Sequence, residues 1–275
     1  MSFAPVVPMG GYAGWAFLTR TLEIQKSAFL KDGAIQRDET YFREKIGAVR
    51  TAGDLVSDRR LLNVALTAFG LEGDIDNRAF LRKILEDGTL KPDGLGNRLA
   101  DKRYLEFSKA FGFGDFRVPN TVLSDFPQKI LARYEARRFE AAVGGQNEDM
   151  RLALNARREL ADLARRSVST DAKWFTALGS PPLRQVIQTA LGLPKGFSQV
   201  DIDKQLVILK DRAESALGTS DLKDMADPEK AEQLVRLFLA RAQMQADLSG
   251  ARGGTTALAL LQQSQAARGR LSLYL

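Results

Sequence analysis

The chain encodes an all-α fold, a pseudo-symmetric helical bundle built from two related helical units joined by central helices. Three observations lead there. The stretch Val64-Ala-Leu-Thr-Ala-Phe-Gly-Leu71 recurs as Val186-Ile-Gln-Thr-Ala-Leu-Gly-Leu193, with the Val, Thr-Ala and Gly-Leu positions in register. Apolar residues fall at helical spacing in both copies, Leu61, Val64, Ala65 and Ala68 in one and Leu183, Val186, Ile187 and Ala190 in the other. Nowhere do β-branched residues alternate with a period of two, so nothing reads as a strand. Gly70 and Gly192 stand where a helix ends on a residue at positive φ, with Leu71 and Leu193 folding back onto the last turn. Two copies fall short of the roughly three that a solenoid needs, which leaves a bundle.

Five segments follow from the punctuation. Residues 1–11, with Pro5, Pro8 and Gly10-Gly11, read as a flexible N-terminus. Residues 12–119 form the first repeat unit, 120–167 the central helices, 168–248 the second unit, and 249–275 a C-terminal hinge and tail helix. In the first unit a helix is predicted from Tyr12 to about Leu30. Asp38 caps one running to Val49, and Asp58 caps the repeated helix up to Phe69. Asp76 starts a helix that Asp87-Gly88 ends, and Asn97 begins another carrying Leu99, Tyr104, Phe107 and Phe111. Phe111-Gly-Phe-Gly-Asp-Phe116 closes the unit.

Asp125-Phe-Pro127 opens the first central helix, since proline suits a first helical turn, and Gly144-Gly145 stops it. Asn147 caps the second, to about Arg166. Asp171 starts a short helix, Pro181-Pro182 the second copy of the repeat, Asp201 the next helix, and Asp227-Pro228 the last long one. Ser249 to Gly254 read as the hinge before the tail.

Composition removes several kinds of chemistry. The 275 residues are 44% hydrophobic and 27% charged, enough apolar matter for a large core and against wholesale disorder. With no cysteine there is no disulfide or thiolate site, which fits a reducing compartment. With no histidine, Ser-His and Cys-His catalysis, zinc-protease helices and His-based proton transfer are excluded. No cofactor is expected. The net charge of +6 is mild and spread along the chain. No apolar run approaches the ~20 residues of a membrane span, and Met1 to Gly10 lacks the basic and apolar regions of a secretory signal, so a cytoplasmic protein is expected.

The remaining candidate sites are weak. Asp87 to Asp101 is rich in Asp, Asn and Gly, yet the EF-hand pattern fails, with Pro92 where the glycine belongs and Arg98 where the glutamate belongs. These residues read as caps and turns, and no metal site is expected. Gly10-Gly11 and Gly14 lack the preceding strand of a nucleotide-binding turn. Arg133, Arg137, Arg138, Arg151, Arg157, Arg158, Arg165 and Arg166 crowd the central helices, with Glu135, Glu140, Glu148, Asp149, Glu159 and Asp162 among them. The pattern reads as a solvated, salt-bridged face or as a phosphate track. Aromatic residues sit on apolar stripes away from the arginines, which disfavours nucleic acid as a partner.

That leaves the terminal segments. Trp15, Leu18, Leu22, Gln25 and Phe29 recur in steps of three and four, and Leu258 and Leu261 lie in the apolar tail. The six apolar residues either pack on their own body or form a protein-partner surface by docking a helix in a groove.

Several stretches carry a resemblance: Asp54-Leu-Val-Ser-Asp-Arg-Arg-Leu-Leu-Asn-Val-Ala-Leu-Thr-Ala-Phe-Gly-Leu71, Asn97-Arg-Leu-Ala-Asp-Lys-Arg-Tyr104, Arg151-Leu-Ala-Leu154 and Ala190-Leu-Gly-Leu-Pro194. They resemble an alphaproteobacterial family of unknown function whose genes commonly lie among flagellar genes. The resemblance implies a helical protein associated with the flagellum, with no established activity and no catalytic residues to transfer. The expectation is a non-enzymatic structural or interaction component of the flagellar system, acting as a helical scaffold with protein partners. The alternative is a nucleic-acid-binding regulator using the central arginines.

Overall fold

The computed structural model describes residues 3–252, and the regular structure among them is all helical. In order the helices are α1 (Gly11–Phe29), α2 (Gly33–Lys45), α3 (Ala52–Ser57), α4 (Arg59–Phe69), α5 (Arg78–Asp87), α6 (Leu95–Arg98) and α7 (Arg103–Phe111). The central helices are α8 (Phe126–Gly144) and α9 (Glu148–Ala164). They are followed by α10 (Thr170–Leu178), α11 (Pro181–Ala190), α12 (Ile202–Leu217) and α13 (Pro228–Arg252).

The two repeated helices are α4 and α11. Asp58 accepts from Arg60 N and Leu61 N and so starts α4, while Pro181 and Pro182 open α11, where two backbone donors would otherwise lack partners. Both end alike. Gly70 and Gly192 take φ of +70° and +68°. Gly70 N donates to Thr67 O at 3.0 Å and Leu71 N to Leu66 O at 2.9 Å; Gly192 N donates to Thr189 O at 3.1 Å and Leu193 N to Gln188 O at 2.9 Å. The same two carbonyls of the last turn are satisfied in each copy. Ala68 and Ala190 are both buried.

Packing runs α4, α8, α9, α11. The first repeated helix lies on α8, α8 on α9, and α9 on both α11 and α13. Within each unit the neighbours recur: α3 touches α4 and α5, as α10 touches α11 and α12. One hydrophobic core nevertheless runs continuously from Trp15 to Leu239, so the segments read from the sequence share one interior.

Four local expectations are revised, each for a physical reason. Asp32 caps α2, accepting from Ala34 N at 2.8 Å, while Asp38 accepts from Arg60 Nε and Tyr134 Oη and so serves tertiary structure. The helix expected from Asn97 breaks between α6 and α7, where Lys102 N donates at 2.7 Å to Gly179 O of the second unit. Asn77, not Asp76, precedes α5, and Asp76 pairs with Arg59. Finally α13 continues through Ser249 and Gly250 to Arg252. A glycine inside a helix costs about 1 kcal/mol and does not by itself end it.

The lead-in is held down rather than loose over residues 3–10. Val6 N donates to Gln25 Oε1 at 2.6 Å and Gln25 Nε2 returns to Val6 O at 3.2 Å. Gln146 reaches Val7 N and Pro5 O in the same manner. Proline and glycine signalled irregular backbone here, and two glutamine amides satisfy it.

Replacing Gly70 or Gly192 with alanine forces a side chain into the left-handed region, where guanidinium groups already crowd the space, and is expected to cost about 1–2 kcal/mol. Gly47, with nothing within 4 Å of a built Cβ, is the control; its alanine variant should stay within about 0.5 kcal/mol in urea denaturation.

Candidate binding site at the junction of the two units

Side chains of α8 and α9 that the sequence reads as a solvated face pair across the two helices instead. Arg158 forks onto Glu140, Nε to Oε1 at 2.7 Å and Nη2 to Oε2 at 3.1 Å. Arg137 Nη2 donates to Glu159 Oε1 at 2.7 Å. Glu159 also accepts from Asn155 Nδ2 at 3.0 Å and from Ser180 Oγ at 2.7 Å, so one carboxylate joins α8, α9 and the residue before α11. The Glu140 and Glu159 side chains are only 7% and 15% exposed, which shields these pairs from salt. Arg151–Glu148 and Arg165–Asp162 are the surface pairs that the sequence anticipates.

Two further elements join the network. Arg103 at the start of α7 grips Asp101 and donates from Nη1 to Gly70 O, placing a cation at the carbonyl end of α4. Arg166 forks onto Glu106 at 3.0 and 3.1 Å and fastens the end of α9 to α7. Lys102 directs Nζ to the carbonyls of Asn97 and Leu99 at 2.7 and 2.8 Å.

These groups surround a cavity of about 80 Å³ floored by Ala68, Phe69, Leu163 and Leu183. Its walls carry Lys102, Arg103, Arg133, Arg137, Arg158 and Arg166 against Glu106, Glu159 and Asp162, six cations against three carboxylates. Beyond Arg103 and Arg137 lies a wider cleft of about 480 Å³ bordered by Gly70, Glu72, Arg151, Pro181 and Gln185.

Burial works to raise the Glu159 carboxyl. Arg137 and Arg158, with the hydrogen bonds from Ser180 and Asn155, outweigh it and hold the pKa below the ordinary 4.5. Burial, then the neighbouring Arg158, lowers the Arg137 guanidinium from its usual value. A carboxylate held this firmly as an anion is a poor proton acceptor, so the arrangement is suited to holding charge rather than moving protons.

The terminal residues singled out from the sequence occupy a different place. Trp15 and Leu18 are wholly buried, Phe29 is 8% exposed and Leu22 packs partly buried against the core. Trp15 Nε1 donates to both carboxylate oxygens of Glu232 at 2.9 and 3.1 Å, joining α1 to α13, and Phe29 meets Phe139 edge-on. Trp15, Leu18 and Phe29 are spent on the chain's own core. Leu258 and Leu261 lie outside the described residues.

Between Asp87 and Asp101 the acidic side chains cap and turn the chain. Asp87 accepts from Leu95 N and pairs with Lys83, and Asp101 accepts from Arg103 N. Arginines do stand beside aromatic rings, contrary to the sequence reading. Arg133 lies 5.1 Å from the Phe69 centroid, Arg157 5.2 Å from Trp15 and Arg236 4.7 Å from Tyr12. Among the described residues no helix is long and apolar enough to cross a membrane.

Sequence reasoning overlooked Lys102, Arg103 and Ser180, whose bonds to Gly179 O, Gly70 O and Glu159 join residues distant in the chain. The hint lay in Asn97–Tyr104, noted for resemblance and not for charge.

Glu159→Gln leaves Arg137 and Arg158 without their shared counter-charge and is expected to destabilise the fold by about 3 kcal/mol in urea melts. Because the folded-state pKa of Glu159 is depressed, its contribution is present above 4.5 and lost as pH falls through the lower folded value. The stability of the native chain should therefore drop more steeply below pH 4.5 than that of the Gln variant.

No curated protein matches the chain. An X-ray crystal structure of a protein from Agrobacterium tumefaciens is similar to it, with a TM-score of 0.71 and 26% identity, covering 88% of this chain and 99% of that one. Residues 68–231, which hold the central pair, the second repeated helix and the charged cavity, match the family described as protein of unknown function DUF1217. The chain belongs to that family.

Proposed function

We propose that the chain is a non-enzymatic helical scaffold that works by contact with protein partners, as a component associated with the bacterial flagellum. The flagellar part rests on the resemblance of Asp54–Leu71 and its companion stretches to a family encoded among flagellar genes. The contact part rests on exposed apolar side chains of two loops, after α5 and after α7, that meet at Asp115. Leu90, Phe116, Val118, Val122 and Leu123 stand 71%, 53%, 61%, 37% and 50% exposed.

Exposed apolar residues on a floppy loop carry little meaning, but these loops are fastened. Asp115 accepts from Leu90 N at 3.1 Å and from Thr89 Oγ1 at 2.8 Å. Asn120 Nδ2 donates to Ala110 O at 2.9 Å, and the buried Thr121 hydroxyl donates to Val49 O at 2.7 Å. Apolar side chains held in place from beneath lose little entropy on docking, which is the property of a preformed contact surface. Arg137, Arg158 and Arg166 are meanwhile committed to carboxylates of the same chain, which favours this reading over a nucleic-acid regulator.

The test is a pull-down from flagellated cells, run beside a strain lacking the flagellar genes. The native chain should retain flagellar proteins, and Phe116→Ser combined with Leu123→Ser should lose them at least tenfold with an unchanged circular dichroism spectrum. Equal retention by native and doubly substituted chains would refute the role of this surface. Equal recovery from the two strains would refute the flagellar association.

A further inference from the structure

The ionic bookkeeping of the 80 Å³ cavity does not close within the chain. Four of its six cations have carboxylate partners: Arg103 with Asp101, Arg137 with Glu159, Arg158 with Glu140 and Arg166 with Glu106. Asp162 is taken by Arg165. Lys102 and Arg133 remain. The Lys102 ammonium rests on two neutral carbonyls, and the Arg133 guanidinium lies against the Phe69 ring, with no carboxylate partner among the described residues.

Arg137 adds a third unsatisfied group. Its Nη2 is used by Glu159, but its Nε is buried with no hydrogen-bond partner and its Nη1 stands 3.9 Å from Glu140. It comes within 3.2 Å of where a Cβ on Gly70 would lie, and Arg103 Nη1 within 3.3 Å of the same point. Two guanidinium groups thus converge over a residue with no side chain. That point lies on the wider cleft beside the cavity, and Arg103 and Arg137 line both.

The geometry points to a binding site for one small oxyanion of phosphate's size and charge, seated between Lys102, Arg133 and Arg137 at the seam of the two units. Two cations without counter-charge match a dianion better than a carboxylate. A volume of about 80 Å³ suits a single tetrahedral group. Forked guanidinium donors are suited to phosphate oxygens. The site also spans the molecule, since Lys102 N is bonded to Gly179 O while Arg133 and Arg137 belong to α8. An occupant would bind the two units together.

Titration calorimetry on the full chain, with inorganic phosphate in chloride buffer at constant ionic strength, tests this. One saturable site is expected, with a rise in melting temperature that extra chloride does not reproduce. Arg133 is exposed, so Arg133→Gln should fold normally and bind about tenfold more weakly. Lys102→Met should weaken binding as well, while Arg138→Gln, which removes the same charge outside the cavity, should bind as native. Glycerol 3-phosphate in parallel separates the sources: tighter binding than inorganic phosphate assigns an ester group, weaker binding the free ion. The proposal is overturned by an absence of saturable binding, by acetate binding as well as phosphate, or by all three variants behaving alike.

Discussion

Glu159 is held by Arg137 from α8, by its own helix through Asn155, and by Ser180 from the head of α11. Burying such ions is costly, several kcal/mol for each, and their attraction recovers this only with good geometry. The network is therefore a weak source of net stability and a strong source of register. An apolar interface between α8 and α9 could slide by a turn at small cost. One in which Arg158 must meet Glu140 and Arg137 must meet Glu159 cannot. The rest of the site inherits its position from this constraint, because Arg103, Lys102 and the Gly179–Ser180 turn are all placed relative to the central pair.

The repeat gives the network its two flanks but uses them differently. The first copy brings its carbonyl end to the site, with Gly70 O accepting from Arg103. The second brings its amino end, with Ser180 and two prolines at the opening of α11. At the far end of α11 the left-handed Gly192 is covered by Arg241, as Gly70 is covered by Arg103 and Arg137. Similar local sequence has produced similar helix endings, each topped by a guanidinium, while the charged groups gathered around them are the site's own.

What was legible in the sequence was local. The helix starts at Asp58, Asn147, Asp201 and Asp227-Pro228, and the stops at Gly70 and Gly192, follow from capping chemistry that acts within a few residues. What failed was decided by distant partners. Asp38 looks as good a cap as Asp32 until Arg60 and Tyr134 are known to claim it. The helix through Asn97 and Tyr104 looks continuous until Gly179 takes the Lys102 amide. The arginines of α8 and α9 look like surface pairs because each helix carries both signs. Only the packing of α8 on α9 shows that the strongest bonds run between the helices and partly under the surface. The cavity itself had no sequence signature, since it is assembled from α4, α7, α8, α9 and the α10–α11 turn.

The chain also closes on itself. Trp15 of α1 is hydrogen-bonded to Glu232 of α13, Tyr12 lies under Arg236, and Val7 and Pro5 meet Gln146. During synthesis α1 emerges long before α13, and its indole has no home until Glu232 has left the ribosome. Docking of α1 is therefore a late step in folding, with a large loop to close and an apolar face waiting uncovered meanwhile. A growing chain of this design has good reason to keep that helix shielded, and a truncation near residue 230 would leave it stranded even with α2 to α12 complete.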